Sequence, residues 1–329
     1  MKAIQITSYQ DVFHNMDVVE LADPVPEFGE VLIQVEVGSL FPADELILQN
    51  NYVTPRTLPF VGGSLGVGRV VSSGGGWWAN RLVGKQVYFT PEVDRSGSWA
   101  EFAVSVAKQC IVVDGDDAPE QYINLGNSLT AVALVTEAKR RGHTGMVINA
   151  AAGSLGRLMN LYAASQRIEV INIIRNDEQK QLLIDQGATQ VLSTQDGDFS
   201  ERLQWILGMK QVRYAVYSLA GEALPELLSA LPESSDVQLI GSLSQSNSTL
   251  NIMRDVVAKG HQIQGFAVAQ YLSQLPLLKL LSLLRESKRF HDAYAGQVPV
   301  KNAVDLVAAV KHMPELFKNR TDNLTVVKP

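Results

Sequence analysis

The chain has 329 residues, of which 46% are hydrophobic and 19% are charged, and its formal net charge is −6. This length predicts about two domains, the composition is too apolar for a disordered chain, and the charge argues against nucleic acid or an anionic membrane as partner. The single cysteine, Cys110, excludes an internal disulfide framework and a multi-cysteine metal site. The first residues show no signal-peptide pattern and no apolar run is long enough to span a bilayer, so we expect a cytoplasmic protein.

The first third of the chain is predicted to be β-rich. Short β-branched runs with partial alternation indicate strands, and clusters of glycine, proline and serine mark the turns between them. The predicted strands are Lys2–Thr7, Met16–Leu21, Val31–Val37, Gly66–Val71, Gln86–Thr90 and Glu101–Val104. A short helix with proline in its first turn is predicted at Pro42–Leu48. This region is interpreted as a compact, irregular β domain.

From about residue 120 the pattern changes to helices that alternate with short apolar strands. The predicted strands are Met146–Ala150, Val170–Ile174, Thr189–Leu192, Tyr214–Tyr217 and Val237–Ile240. Such alternation is typical of a parallel sheet with helices on both faces. A Leu-rich helix is predicted at Leu272–Arg285, a strand end and a helix at Pro299–His312, and a last strand at Leu324–Val327.

The most informative motif lies between a predicted strand and a predicted helix. The strand runs into Ala150, small residues follow, and Gly153 and Gly156 stand where an amphipathic helix begins. A dinucleotide site needs a tight turn there, close approach of the backbone to a pyrophosphate, and the free N–H groups of a helix N-terminus. The strict fingerprint has a third glycine where this chain has Ala151. The alternative is an ordinary strand–turn–helix connection.

The end of the second strand of this domain predicts which dinucleotide is bound. An NAD enzyme usually places an acidic residue there to hold the ribose 2′-hydroxyl, whereas here the strand Val170–Ile174 runs into Arg175. A guanidinium suits a 2′-phosphate, so we predict NADP(H) over NAD. Asp177 and Glu178 follow closely, and the simpler interpretation of both is the first turn of the next helix.

No metal site is predicted. Catalytic zinc needs three protein ligands with an open fourth position, and the five histidines are scattered without the spacing of a helical ligand pair. Cys110 stands alone and is expected to be a small core residue. A Gly-x-Ser-x-Gly motif is also missing, which argues against a hydrolase.

Several short segments then point to one family by their order. They are Gly66–Val71 (GVGRVV), Asn127–Ala131 (NSLTA), Ala150–Gly156 (AAAGSLG), Ile240–Leu243 (IGSL) and Gly265–Phe266. They resemble the GVGxVV, NPLTA, AxxGxxG, YGxx and GFW segments of the medium-chain dehydrogenase/reductase superfamily. Near residue 40 the zinc-dependent members carry a cysteine and the zinc-free members read NPSD. This chain matches the latter at Pro42 and Asp44, so it resembles the zinc-free quinone oxidoreductases and 2-enoyl thioester reductases.

The resemblance implies an α/β fold with two domains. Residues 1–118 would form a GroES-like β-rich catalytic domain that is completed by 270–329, and 119–269 would form a doubly wound Rossmann domain that binds NADP(H). The cofactor-binding residues that it implies are Asn127, Thr130, Gly153, Ser154, Leu155, Gly156, Arg175, Gly241, Ser242 and Phe266. The nicotinamide is expected near Tyr52, Thr130 and Phe266.

Tyr52 is the candidate catalytic residue. The segment Leu46–Tyr52 resembles the IQGxYG pattern of the enoyl thioester reductases, whose tyrosine is catalytic, although Asn50 and Val53 replace the two glycines. The alternative is that Tyr52 only shapes the pocket. Trp99 resembles the tryptophan of the family's GTW segment beside the substrate, and a core tryptophan is the alternative for it.

The implied activity is reduction of the C=C bond of an α,β-unsaturated carbonyl, most simply a 2-enoyl thioester, by NADPH without zinc. One alternative is an NADPH:quinone oxidoreductase, and another is an NADPH-binding sensor or structural protein with little turnover. The expected partner is a small molecule. The family also implies a homodimer, for which the segment Gln262–Ala269 is predicted to be an edge strand open to pairing.

Overall fold

The structure is a computed structural model. It describes residues 1–52, 54–113, 118–219, 221, 223–241, 248–318 and 324–329. The chain divides into two compact units, of which the first comprises 1–125 together with 295–329 and the second comprises 126–294. Within the described ranges, no helix is both long and apolar enough to cross a bilayer.

The N-terminal part of the first unit is β-rich, as its alternating apolar residues predict. Its elements are β1 (Lys2–Ile6), β2 (Met16–Glu20), β3 (Glu30–Ser39), α1 (Pro42–Leu48), β4 (Phe60–Val61), β5 (Gly66–Ser73), α2 (Trp77–Asn80), β6 (Gln86–Phe89), β7 (Phe102–Val106) and β8 (Ile111–Val112). Helix α1 begins at proline, whose fixed φ and missing N–H suit the first position of a helix.

Helices and short strands alternate through the middle of the chain. The elements are α3 (Leu125–Arg140), β9 (Gly145–Ile148), α4 (Ser154–Ser165), β10 (Glu169–Ile174), α5 (Glu178–Asp185), β11 (Gln190–Ser193), α6 (Phe199–Lys210), β12 (Tyr214–Tyr217), α7 (Ala223–Ala230), β13 (Asp236–Leu239), β14 (Gln262–Gly265), α8 (Val268–Ser273) and α9 (Leu277–Tyr294). The chain ends with β15 (Val300–Asp305), α10 (Leu306–Lys318) and β16 (Leu324–Lys328).

Two sheets form the first unit in the described part of the chain. The smaller has the order β2-β1-β4, and the larger has the order β15-β16-β3-β5-β6-β8, with β7 also paired to β3. Strand β16 runs antiparallel to β3 and parallel to β15, so the C-terminal residues complete this sheet. The apolar core between these elements includes Ile4, Trp99 and Met313, all fully buried.

The second unit is a parallel sheet whose described strands have the order β11-β10-β9-β12-β13-β14. In sequence terms this order is 3-2-1-4-5-6, and the winding direction reverses between β9 and β12. The fold class predicted from the sequence, a β-rich domain with a doubly wound α/β domain, is therefore confirmed. Strand β14 pairs only with β13 and ends the sheet, so the prediction of an edge strand within Gln262–Ala269 is confirmed for Gln262–Gly265.

Two features of the C-terminal third differ from the predictions. The single helix predicted at Leu272–Arg285 is two helices, α8 and α9, because Pro276 cannot donate a backbone hydrogen bond and disfavours helical geometry in the residue before it. The second unit extends to Tyr294 where a boundary at residue 269 was predicted. Helix α9 belongs to this unit because Phe290 packs on Tyr162 of α4, with ring centroids 5.0 Å apart, and His291 is hydrogen-bonded to Ser128 of α3 at 2.9 Å.

Candidate functional site

The predicted cofactor residues of the second unit cluster at one edge of its sheet. Gly153 to Gly156 follow β9, Arg175 follows β10, Gly241 follows β13, and Phe266 follows β14. Because these strands are parallel, their carboxyl ends share one edge, and ligands of such sheets bind outside that edge where the winding reverses. Here the reversal lies between β9 and β12. Ser242, the other predicted residue of this group, lies outside the described residues.

The loop between β9 and α4 presents backbone N–H groups at this reversal point. Ala150 adopts a left-handed conformation with φ of 50°, and the N–H of Gly153 donates to the Ala150 carbonyl at 3.0 Å, which closes the turn. Gly153 is the N-cap of α4 and makes no side-chain cap hydrogen bond. The first intrahelical bond comes from Arg157 to Gly153. The N–H groups of Ser154, Leu155 and Gly156 are therefore suitable donors for an anion.

The two glycines of this loop have different roles. A Cβ on Gly156 would lie 2.4 Å from the Ala151 carbonyl oxygen, which is backbone and cannot move aside easily. Gly156 is therefore required for α4 to pack closely against the loop. A Cβ on Gly153 would meet only the Ala150 carbonyl, at 3.3 Å. For Gly153 the stronger constraint is the space that a ligand on the loop would need.

Asn149 is a site residue that the sequence analysis missed. It follows β9 directly, its side chain is 4% exposed, and its Oδ1 accepts a 2.7 Å hydrogen bond from the Ser218 N–H after β12. This bond ties together the two strands at the reversal point and orients the amide. The Nδ2 has no hydrogen-bond partner among the described residues. A buried donor left unpaired costs about 1–3 kcal/mol, so this amide fits a ligand with an acceptor atom.

A buried amide pair supports the first turn of α4. Asn160 Nδ2 donates to the Gly156 carbonyl at 3.0 Å and to Asn172 Oδ1 at 2.6 Å, and Asn172 Nδ2 donates back to Asn160 Oδ1 at 3.1 Å. Asn172 is fully buried on β10. Buried amides with their hydrogen bonds satisfied hold a backbone rigidly, so this pair fixes the helix start on β10.

Arg175 is exposed at the end of β10. Its backbone N–H donates to Gln179 Oε1 at 3.1 Å and its carbonyl accepts from Thr194 Oγ1 at 3.4 Å, so its position is fixed by main-chain contacts. Its guanidinium makes no hydrogen bond or ion pair with the described residues. Asp177 lies at the N-cap of α5 and Glu178 lies in its first turn. This is the simpler interpretation given above, in which both residues belong to the start of the next helix.

The predicted residues of α3 lie in its first two turns. The Thr130 hydroxyl donates to the Gly126 carbonyl at 2.8 Å and the residue is partly buried. Asn127 is also partly buried and has a hydrogen-bonding or electrostatic partner. Helix α3 ends at Arg140, shortly before β9 begins at Gly145.

Tyr52 lies beyond α1 in the first unit, and its side chain is 40% exposed. Burial raises the pKa of its phenol above the usual value of 10, the nearby Asp44 carboxylate raises it further, and the Arg56 guanidinium lowers it. The phenol therefore keeps its proton at neutral pH, which suits a hydrogen-bond donor or an acid and does not suit a base.

Asp44 is a buried structural carboxyl beside Tyr52. It accepts hydrogen bonds from the Phe41 N–H at 2.7 Å, the Ser39 hydroxyl at 3.0 Å and the Ser64 N–H at 2.8 Å. Burial raises its pKa and these bonds lower it, with burial the larger effect. The bond from the Phe41 N–H to Asp44 caps the N-terminus of α1.

Trp99 lies in the core of the first unit. Its indole is fully buried, its Nε1 donates to the Ser39 carbonyl at 2.6 Å, and a Cβ on Gly62 or Gly63 would collide with its side chain. The expectation that Trp99 contacts substrate therefore has no support in its surroundings, and its burial favours the alternative of a core tryptophan.

Metal ligands are not grouped in the described ranges. There, no three histidine, cysteine, aspartate or glutamate side chains are close enough to hold one ion. Cys110 is buried in the core beneath β3 and β5, and burial raises the pKa of its thiol to about 11. A protonated, buried thiol is inert and packs as a small apolar side chain.

Comparisons with known proteins agree with this geometry. The family described as zinc-binding dehydrogenase matches residues 154–283. The mitochondrial enoyl-[acyl-carrier-protein] reductase of Bos taurus is 25% identical over 311 residues, which are 91% of this chain and 81% of the relative. A quinone oxidoreductase of Rattus norvegicus is 26% identical over 247 residues, which are 74% of this chain and 73% of the relative.

Solved structures are also similar over the full length, and we describe one of them. It is a protein from Mesorhizobium loti named as an NADPH:quinone reductase, with a TM-score of 0.91 and 26% identity, and the alignment covers 100% of this chain and 98% of the other. This structure is thus named for the same activity as one of the two groups of sequence relatives, the quinone reductases.

Proposed function

The chain belongs to the medium-chain dehydrogenase/reductase superfamily, in its branch of quinone and enoyl reductases, and from that premise we propose that it is an NADPH-dependent oxidoreductase. Its acceptor is an α,β-unsaturated carbonyl compound, most simply a 2-enoyl thioester. The observation that carries this proposal is the carboxyl edge of the second unit. There, among the described residues, the first N–H groups of α4, the Nδ2 of Asn149 and the guanidinium of Arg175 are left without protein partners.

The residues of this edge fit NADPH in distinct ways. Ser154, Leu155 and Gly156 would bind the pyrophosphate through backbone N–H groups, and Arg175 would bind the 2′-phosphate through a charge-assisted pair. A second set would line the nicotinamide half, and it consists of Asn127, Thr130, Gly241, Ser242 and Phe266. Asn149 joins the first set, because its buried Nδ2 lacks an acceptor.

When bound, NADPH would supply a hydride to the β-carbon of the acceptor. Negative charge then develops on the carbonyl oxygen and the α-carbon, and a positioned donor lowers the energy of that transition state. The Tyr52 phenol is such a donor, because its raised pKa keeps the proton in place. It would either protonate the α-carbon or hydrogen-bond to the enolate oxygen.

Quinone reduction is the second candidate function, since quinone reductases are among the relatives by both sequence and structure. A quinone needs no proton on carbon, so Tyr52 would then only shape the pocket. The third candidate, a sensor that binds NADPH with little turnover, would show quenching of cofactor fluorescence without oxidation of NADPH by any acceptor.

The test compares two acceptors in one variant. Tyr52→Phe removes only the hydroxyl, so stability should stay within about 1 kcal/mol. If the hydroxyl acts in the transition state, kcat for crotonyl-CoA or a longer enoyl-CoA should fall about 10²- to 10⁴-fold, whereas NADPH affinity and reduction of 1,4-naphthoquinone should change little. If kcat falls equally on both acceptors, or on neither, the Tyr52 hydroxyl does not act as a donor in the transition state.

Zinc independence and a homodimer are further parts of the proposal. The chain has a single cysteine and scattered histidines, so the purified enzyme should contain no stoichiometric zinc by elemental analysis. Strand β14 is an exposed sheet edge, and Ile252, Met253 and Val257 are exposed in the short π-helix Ile252–Val257 that precedes it. A two-fold dimer would cover that edge on both copies, and light scattering that reports a monomer at micromolar concentration would refute it.

A further inference from the structure

The segment between Tyr52 and β4 is anchored by side chains from distant parts of the first unit. The Tyr9 hydroxyl donates to the Arg56 carbonyl at 2.6 Å and accepts from the Arg56 N–H at 3.2 Å, so one hydroxyl fixes both backbone groups of that residue. The Tyr9 ring also packs on Phe60, with centroids 5.9 Å apart. The backbone of Arg56 is therefore held in one place although it lies in a loop.

A second anchor fixes the next residue. The Thr57 N–H donates to Asp94 Oδ1 at 2.9 Å. Asp94 itself adopts a left-handed conformation with φ of 67°, which is uncommon outside glycine and carries a small cost in free energy. The chain thus tolerates local strain at Asp94 in a position where its carboxylate holds the segment that carries Arg56.

The Arg56 side chain is left without a partner in this anchored segment. The residue is partly buried, yet its guanidinium makes no hydrogen bond and no ion pair with any described residue. Arg95 in the same unit shows the usual arrangement, with its guanidinium bound by Glu30 at 2.8 Å. A cation that loses water without gaining an ionic partner is costly, so the missing partner of Arg56 is best supplied by a ligand.

The surroundings of Arg56 indicate where that ligand lies. The guanidinium and the Tyr52 phenol act on each other electrostatically, and burial of the guanidinium lowers its own pKa while Asp94 and Asp44 raise it. The Oδ1 of Asp94 accepts from the Thr57 N–H, and Asp44 accepts from three donors of its own unit. Neither carboxylate forms an ion pair within 4.0 Å of Arg56, so both set the local field without neutralising the guanidinium.

We propose that Arg56 binds an anionic group of the acceptor beside Tyr52, so that the preferred acceptors carry a carboxylate or phosphate in addition to the reducible double bond. This inference rests on the proposed function for the reaction itself. A guanidinium is planar and offers paired donors that match the oxygens of both anions. Arg56 is then a substrate-binding residue that selects among acceptors, and Tyr9 and Asp94 are the residues that position it.

Two pairs of acceptors, each with an anionic and a neutral member, test this assignment. One pair is 4-oxo-4-phenylbut-2-enoate and its methyl ester, and the other is crotonyl-CoA and crotonyl-N-acetylcysteamine. The variant is Arg56→Gln, and Arg81→Gln is the control because Arg81 stacks on Trp77, 4.9 Å from its ring centroid, elsewhere in the same unit. Arg56→Lys keeps the charge without the paired donors.

The wild type should reduce the charged member of at least one pair with a kcat/KM about 10-fold or more above the neutral member. Arg56→Gln should lower kcat/KM for that member by about 10- to 100-fold, the usual effect of losing a charge-assisted hydrogen bond, and should leave the neutral member nearly unchanged. Arg56→Lys should recover part of the loss. The pair that responds identifies a carboxylate or a phosphate as the anion, and equal losses on both members of each pair would overturn the assignment.

Binding without turnover separates this inference from the proposed function. The saturated acid 4-oxo-4-phenylbutanoate and the saturated thioester butyryl-CoA have no C=C bond to reduce, and calorimetry measures their affinities directly. If either ligand binds in a way that depends on Arg56 but the enzyme reduces neither acceptor pair, the proposed function is refuted. The proposal that Arg56 binds an anion then still holds. Reduction of the acceptors with no dependence of binding or rate on Arg56 would refute the anion site and keep the function, and neither binding nor reduction would refute both.

Discussion

The two candidate sites, one in each unit, are built from different parts of the polypeptide. In the second unit, the loop from Asn149 to Gly156 would hold its ligand mainly through backbone N–H groups at the start of α4. In the first unit, the segment with Tyr52 and Arg56 would hold its ligand through side chains, fixed by Tyr9 and Asp94 from 47 and 37 residues away in sequence. The backbone site thus depends on local chain geometry, whereas the side-chain site depends on contacts between distant residues.

The largest effect is expected where the backbone site is most tightly packed. Gly156→Ala places a Cβ 2.4 Å from the Ala151 carbonyl oxygen. Overpacking of this kind costs about 1–3 kcal/mol, and displacement of the α4 start should weaken NADPH binding by about 100-fold or more, because several N–H groups move together. Thermal unfolding and a fluorescence titration with NADPH would measure the two effects.

Gly208→Ala is the matched control for that substitution. Gly208 lies inside α6 and a Cβ there would meet nothing within 4 Å. Alanine should therefore leave NADPH affinity unchanged and raise stability by about 0.5–1 kcal/mol. If Gly156→Ala behaves like this control, the close packing of α4 against the loop is not required for binding.

A substitution at Arg175 is expected to have a smaller effect on cofactor affinity, and one that is selective for NADPH over NADH. Its guanidinium is exposed and has no partner among the described residues, so Arg175→Ala should leave the fold intact. The loss of a charge-assisted pair with the 2′-phosphate should weaken NADPH by about 10- to 100-fold and should leave NADH unchanged. Equal affinities of the wild type for NADPH and NADH would contradict the assignment.

Asn149→Asp tests the one buried side chain of the backbone site. The substitution keeps an oxygen to accept from the Ser218 N–H and replaces the unpaired Nδ2 with a second oxygen. The donor is lost and a carboxylate is added beside an anionic cofactor, so affinity for NADPH should fall by at least about 10-fold, the scale of one hydrogen bond. An unchanged affinity, with an unchanged melting temperature, would mean that Nδ2 faces no ligand atom.

Near neutral pH, the protonation of Tyr52 is expected to leave the rate of enoyl thioester reduction unchanged. An acid with a raised pKa keeps its proton to higher pH, so activity that depends on protonated Tyr52 should fall only as pH rises beyond 10, the ordinary phenol value. The rate of enoyl thioester reduction should therefore show no Tyr52-dependent loss between about pH 6 and pH 9. A decline near pH 8 that disappears in Tyr52→Phe would contradict the raised pKa.

The sequence predicted the parts of the molecule that depend on local pattern. The parallel strands of the second unit and the Gly153–Gly156 loop followed from apolar runs and glycine spacing. Asn149 was missed because its role depends on Ser218 across the sheet, and the usable signal was a polar residue at the end of an apolar strand. Arg56 carried no local signal, because its anchors Tyr9 and Asp94 are distant in sequence.

Tertiary packing supplied information that the local sequence pattern lacks. Trp99 was equally compatible with a substrate contact or a core residue, and only the surrounding chain shows that it is fully buried. The extent of α9 in the second unit likewise depends on Phe290 and His291 meeting α4 and α3. Periodicity identifies that a helix is amphipathic but does not identify the surface that it will cover.

The discontinuity of the first unit has a consequence for the order in which the protein assembles on the ribosome. The second unit is one continuous stretch, whereas the first unit needs 295–329 in addition to 1–125. Strand β16 pairs with β3 at Gly38 and Ser39, so part of β3 stays an open edge until the residues of β16 have been translated. Because domains fold as their residues emerge, vectorial synthesis favours completion of the nucleotide-binding unit before that of the unit that carries Tyr52 and Arg56.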